Sequence, residues 1–165
     1  MDTLEQEVAE LLHRTGLTLG VVESATGGLV SHLLTNVPGI SRYYKGSVTA
    51  YSNEVKMKVV GVRPETIRKY GAVSHQTAEE MAEGGRRLLS ADICLADTGI
   101  AGPGGATPGK PVGLFYLGLS HQAGTYSRQL NFDRGREENK LDTTHAVLGW
   151  LKEHLESLWR PDHTC

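Results

Sequence analysis

Residues 17–35 read LTLGVVESATGGLVSHLLT. The first six, 17–22, are a short aliphatic and β-branched run, the pattern of a buried strand. From Thr26 onward, Leu29, Val30, Leu33 and Leu34 recur at helical spacing, so 26–35 predicts a helix that ends before Pro38. Between strand and helix stands Glu23-Ser24-Ala25-Thr26-Gly27-Gly28. A buried strand that turns straight into a helix is a building unit of α/β sheets, so this stretch decides the fold class.

The alternation continues on both sides. Leu4, Val8, Leu11 and Leu12 place an amphipathic helix over 2–14, closed near Gly16. Downstream, 47–51 reads as a strand and 53–60 as a short helix that Ser52 or Asn53 can cap. Pro64 opens a helix over 65–70, and 76–89 reads as a helix with Met81, Leu88 and Leu89 turned inward. Strands are predicted over 92–96, 112–119 and 125–132, the last two joined as a hairpin through Gln122-Ala123-Gly124. A long helix over 137–159 closes the chain. The expectation is one domain over 1–165, an α/β sheet covered on both faces and mixed through one antiparallel member.

Composition narrows the function classes. The 165 residues are 39% hydrophobic and 22% charged, which excludes a disordered chain and suits a single core. No run approaches the ~18 apolar residues of a membrane span, and residues 1–10 are acidic and polar, unlike a signal peptide. With 17 Lys and Arg against 19 Asp and Glu, nothing points to nucleic acid or a membrane as partner. Cys94 in an apolar run and the terminal Cys165 make neither a disulfide framework nor a zinc site. The seven histidines are scattered without metal-ligand spacing, and nothing selects His75 or His121 among them. A soluble cytoplasmic protein is expected. Glycine is the anomaly, at 20 residues of 165 against a usual ~7%. Six of those glycines fall within 99–113, together with Pro103, Pro108 and Pro111.

Three segments carry residues suited to chemistry. At Glu23–Gly28 the turn lies at the sheet edge, where the first helical N–H groups are unpaired. A serine hydroxyl there is presented outward and nearby N–H groups can receive an oxyanion, the geometric logic of a nucleophile elbow without its Gly-x-Ser-x-Gly pattern. Ser24 or Thr26 equally suits a plain helix cap. In Tyr51-Ser52-Asn53-Glu54-Val55-Lys56, a lysine whose pKa is lowered can serve as base, and a tyrosine beside it can relay the proton or hold the hydroxyl. Ser52 lies four residues before Lys56 and is a rival nucleophile; an exposed helix start with a solvated lysine is the plainer alternative. The loop Gly99-Ile100-Ala101-Gly102-Pro103-Gly104-Gly105 follows a strand, where open sheets carry ligand loops, and its N–H groups can cradle a phosphate. A surface turn explains it as well. Gly104 to Lys110 imitates a phosphate-binding P-loop, but Pro111 stands where Ser or Thr is required. Asp97 is either a polar site residue or a turn-former.

Five segments occur in order: Glu23–Gly28; Gly46-Ser47-Val48-Thr49-Ala50-Tyr51-Ser52-Asn53-Glu54-Val55-Lys56; Gly71-Ala72-Val73-Ser74; Thr98-Gly99-Ile100-Ala101-Gly102-Pro103; and Lys110-Pro111-Val112-Gly113. The series resembles the CinA C-terminal domain family, whose enzymatic members are nicotinamide-nucleotide amidases, over roughly residues 4–158. The resemblance implies a three-layer α/β/α sandwich with a mixed, mostly parallel sheet, in a stand-alone form of the domain. It implies hydrolysis of the carboxamide of nicotinamide mononucleotide to nicotinic acid mononucleotide and ammonia, with no metal or cofactor. The family's serine, tyrosine and lysine fall on Ser24, Tyr51 and Lys56, which favours Ser24 over Ser52. Many relatives carry cysteine after the serine, and this chain has Ala25. Backbone N–H groups around Thr26–Gly28 are expected to stabilise the oxyanion. Glu23, Thr26, Gly27, Gly28, Thr98, Gly99 and Gly102 are expected to shape the substrate site, and an arginine to hold the phosphate. Relatives carry Phe-x-Gly-Asp-Arg before the last helix where this chain reads Phe132-Asp133-Arg134-Gly135-Arg136, so that arginine is either Arg134 or Arg136. The expected partners are a nucleotide substrate and further copies of the chain in a homo-oligomer. The alternatives are an inactive nucleotide-binding regulatory module of the same family, or an amidase acting on another small amide.

Overall fold

A computed structural model describes residues 1–159; Cys165 lies outside the described residues. Helix α1 (Leu4–Thr15) begins at a capping box of Thr3 and Gln6 and ends at Gly16. It leads into β1 (Leu19–Glu23), α2 (Leu29–Thr35) and β2 (Tyr44–Thr49). Next come α3 (Asn53–Val55), which continues as a π-helical turn over Lys56–Val60, then α4 (Pro64–Tyr70) and α5 (His75–Leu88). The chain closes with β3 (Ile93–Gly99), β4 (Leu114–His121), β5 (Gly124–Asn131) and α6 (Arg136–Leu158).

The strands form one sheet in the order β2-β1-β3-β4-β5. β1 pairs in parallel with β2 and β3, whereas β4 is antiparallel to both β3 and β5. Four strands therefore run one way and β4 runs against them, which is the mixed, mostly parallel sheet expected. Side chains alternate across it, as strand geometry requires. Leu19, Val21, Ile93, Leu95, Leu117 and Leu119 face α1, α2 and α6, where Leu12, Leu34, Leu148 and Leu151 complete a fully buried core. Val22, Cys94 and Ala96 face the opposite way, with Met81 and Ala82 of α5. Helices on both faces make the three-layer sandwich.

Small residues let α5 press close to the sheet. A Cβ on Gly85 would stand 2.3 Å from Val22 Cγ2, and one on Gly118 would stand 2.3 Å from the Ala78 carbonyl oxygen. This packing places glycines that sequence patterning left without a role. It also corrects one expectation: Leu88 is exposed, because the contact face of α5 is made by Ala78, Met81, Ala82 and Gly85. β2 starts earlier than its apolar pattern, because pairing with β1 extends the ladder to Tyr44. α2 starts three residues later than predicted, because residues 24–28 form a tight turn with Gly27 and Gly28 at φ +61° and +103°.

The connection from β3 to β4 is long for two adjacent antiparallel strands. Its neck is closed by hydrogen bonds from Ile100 N to the Leu114 carbonyl and from Gly113 N to the Ile100 carbonyl.

Candidate active site

In this strand order the chain leaves β1 toward β2 on one side, and β3 adds on the other. The crevice at the carboxyl ends of β1 and β3 is thus the topological switch point, the usual ligand position of an open α/β sheet. A cavity of about 280 Å³ opens there. Its wall includes Ser24 and Ala25 after β1, Tyr51 and Lys56 after β2, Thr98 and Gly99 at the end of β3, Gly102 in the following loop, and Arg136 at the start of α6.

Lys56 is 2% exposed, an unusual position for an ammonium. Its Nζ lies 3.0 Å from Ser24 Oγ and 3.0 Å from the Tyr51 carbonyl oxygen. The π-turn that begins at Lys56 gives the chain a wider local helix just where this side chain leaves it. Burial lowers the Lys56 pKa, opposed by the charge of Asp97. A neutral amine donates one N–H to the Tyr51 carbonyl and has its lone pair available for the serine proton, the arrangement of a serine with an adjacent base. Ser52 instead caps α3, its Oγ accepting from Val55 N.

Glu23 and Thr26 act beneath the cavity rather than in its wall. The fully buried Glu23 carboxylate accepts from Gly28 N, Val30 N, Ser31 N and Thr26 Oγ1. It thereby serves the orphan N–H groups at the start of α2. Asp97 accepts from Thr26 N and, at 3.4 Å, from Ser24 N, and it also meets Thr26 Oγ1. One hydroxyl proton cannot serve two carboxylates, so both Thr26 contacts are hydrogen bonds only when a carboxyl carries a proton itself. Burial, which pushes Asp97 up to about 6, makes Asp97 that carboxyl in mildly acidic solution. The sequence marks Asp97 only as polar; its depth comes from the antiparallel pairing of β3 with β4, which encloses its strand.

These bonds change the picture of the oxyanion site. The N–H groups of Thr26, Gly27 and Gly28 are already given to Asp97, the Ser24 carbonyl and Glu23. None of the three residues lines the cavity. Ala25 does, and among the described residues its N–H has no hydrogen-bond partner.

The two arginines separate. Arg136 donates from Nη1 to the Gly102 carbonyl and from Nη2 to the Tyr51 hydroxyl, which holds its guanidinium at the mouth of the cavity. Arg134 turns to Asp142, 3.3 Å away, and is outside the cavity wall. Tyr51 is 60% exposed, and its hydroxyl engages Arg136 while its carbonyl holds Lys56. Thr98 ties the wall to the preceding segment through its Oγ1 and the Ala72 carbonyl. Asn139, fully buried on α6, links the Ala101 and Arg134 carbonyls through its Nδ2. An amide on the inward face of a helix was the one sequence signal for that staple. Lys110 donates to the Tyr70 carbonyl, away from the cavity. Among the described residues, no helix is long and apolar enough to cross a membrane.

Known proteins resemble this chain over most of its length. A protein of Acetivibrio thermocellus that carries a competence-damage inducible name is 52% identical over 157 residues, covering 95% of this chain and 38% of that protein. A CinA-like protein of Dictyoglomus thermophilum is 46% identical over 156 residues, covering 94% and 38%. The chain thus spans well under half the length of these relatives. The crystal structure of the competence damage-inducible protein A from Klebsiella pneumoniae superposes with a TM-score of 0.91 at 32% identity, covering 95% of this chain and 97% of that one. The sequence profile described as the CinA C-terminal domain matches residues 1–155. The chain belongs to the CinA C-terminal domain family.

Proposed function

We propose that this domain is a serine amidohydrolase that removes the carboxamide nitrogen of nicotinamide mononucleotide. The observation that carries the reading is the buried Lys56 amine 3.0 Å from Ser24 Oγ in the wall of the switch-point cavity. Ser24 Oγ bonds to the amide carbon as its proton passes to the neutral Lys56 Nζ. The carbonyl π electrons move onto oxygen, and the Ala25 N–H, which has no other partner among the described residues, is the donor assigned to that oxyanion. Collapse breaks the C–N bond, and Lys56 returns the proton to the departing nitrogen, releasing ammonia. Water then adds to the acyl ester with Lys56 again as base, and collapse frees the acid and restores Ser24. Arg136 places a positive charge at the cavity mouth, suited to the substrate phosphate, with Tyr51 holding it in place.

The test is ammonia release on incubation with nicotinamide mononucleotide. Ser24→Ala and Lys56→Met are each expected to lower turnover by about 10³-fold or more. Free nicotinamide, which lacks the phosphate, should turn over far more slowly. An inert wild type, or a Ser24→Ala variant with full activity, refutes the reading. Tight binding of the nucleotide without turnover would favour a regulatory module.

A further inference from the structure

Two stretches singled out in the sequence have no part in the chemistry above, Gly71-Ala72-Val73-Ser74 and Lys110-Pro111-Val112-Gly113. In the fold they meet. The half-buried Lys110 donates from Nζ to the carbonyl of Tyr70, the last residue of α4. It thereby serves one of the carbonyls that a helix end leaves unpaired. Gly71, at φ +80°, leaves the space that the ammonium occupies: a Cβ on it would stand 2.8 Å from Lys110 Nζ.

The two sides of this contact are held very differently. The Gly71 carbonyl accepts from Ser74 Oγ and Thr77 Oγ1, and the Ala72 carbonyl accepts from Thr98 Oγ1. Residues 71–72 are thereby braced against α5 and β3. Residues 103–109 are all exposed. Among the described residues, the one hydrogen bond from 103–110 to the rest of the chain is that of Lys110 to Tyr70; Thr107 and Lys110 otherwise bond to each other. Both sides reach the Ser24 cavity, Ala72 and Val73 from one and Gly104 and Gly105 from the other. Without a tie, an exposed glycine loop samples many conformations, each with a different cavity wall.

We infer that Lys110 is a positioning residue of the substrate site: through Tyr70 it ties the loop to the braced segment and so fixes Gly104 and Gly105 in the cavity wall. Lys110 itself is outside that wall. Ser24 and Lys56 are anchored separately, by Asp97 and the Tyr51 carbonyl. The bond-making geometry therefore does not depend on the tie, and its loss falls on binding. The kinetic consequence rests on the amidohydrolase reading, whereas the ordering of the loop does not. A lysine that merely finished α4 would change stability alone.

The test compares Lys110→Met and Lys110→Arg with the wild type, each as the full chain. Backbone amide relaxation in nuclear magnetic resonance should give order parameters of about 0.8 for Gly104 and Gly105 in the wild type, falling below about 0.6 in Lys110→Met, while Ala72 and Val73 keep theirs. With nicotinamide mononucleotide as substrate, Lys110→Met should raise KM about fivefold or more and leave kcat within about twofold. Lys110→Arg, which keeps a cationic donor, should recover most of that loss. The inference is overturned if Lys110→Met leaves the order parameters of Gly104 and Gly105 unchanged, if thermal stability falls while KM does not move, or if kcat falls at constant KM. An inert wild type would refute the amidohydrolase reading instead, and the relaxation measurement would still decide whether Lys110 orders the loop.

Discussion

Two glycine-bearing connections meet across the Ser24 cavity, and they are built on opposite principles. The turn after β1 is saturated: Glu23, Asp97 and Thr26 are buried and consume almost every N–H between Ser24 and Ser31. The loop after β3 contributes Gly102, Gly104 and Gly105 to the cavity wall and is held mainly at its neck and by Arg136 and Asn139. The first connection holds a hydroxyl in place, whereas the second presents backbone to whatever enters. Glycine content alone does not distinguish them; the carboxylates beneath one and not the other do.

The comparison breaks most visibly at Glu23. Glu23→Ala leaves the Gly28, Val30 and Ser31 N–H groups without their acceptor, and a loss of about 3–5 kcal/mol of stability is expected in denaturant unfolding. A loss below about 1 kcal/mol would mean that the turn is not held from below.

Asp97 sharpens the contrast through pH. Its folded pKa of about 6 lies above the ordinary carboxylate range. The folded state therefore prefers the protonated form, and this contribution to stability is present at low pH and lost as pH rises through about 6. Asp97→Asn reproduces the donor that protonated Asp97 offers Thr26 Oγ1. Thermal unfolding should show the variant more stable than wild type at pH 8, by up to about 3 kcal/mol, with the gap closing near pH 4. The charge of Asp97 raises the Lys56 pKa, so the same variant should move the acid limb of the pH–rate profile to lower pH. A limb displaced upward would contradict the assignment of Lys56 as base.

Gly99→Ala tests the root of the loop. A Cβ there would stand 2.2 Å from the buried Phe115 ring, and overpacking of about 1–3 kcal/mol is expected. The smallest effect belongs to Gly104→Ala, where an added Cβ meets open space. Stability should stay within about 0.5 kcal/mol, and only the Michaelis constant for a cavity ligand should move. A large stability loss at Gly104 would mean that the loop is packed as tightly as the turn.

Much of this was legible in the sequence because local pattern and tertiary environment agree. The apolar run at 17–22, the helical spacing of Leu29 to Leu34 and the hairpin at Gln122–Gly124 all sit in the elements their patterns predict. Ser24, Tyr51, Lys56, Thr98, Gly99, Gly102 and Arg136, which the family resemblance rather than local pattern selected, meet in one cavity wall. The failures share a cause. Which N–H groups stay open depends on partners more than 70 residues away, as with Asp97 against Thr26, and no local pattern records them. Arg134 and Arg136 are equivalent as letters, and only the position of Gly135 as the N-cap of α6 turns one inward and the other toward Asp142.

The pair of hydrogen bonds at the neck of the β3–β4 connection has a consequence for how this scaffold diversifies. Strand register is set below the neck by the ladder from Cys94 to Gly99, so residues 101–112 can be lengthened or shortened without sliding the sheet. Closing a longer flexible loop costs only about 0.6 kcal/mol per doubling. Specificity can therefore be rewritten by insertion and deletion in this one segment, while the serine and lysine, anchored in other connections, stay where they are.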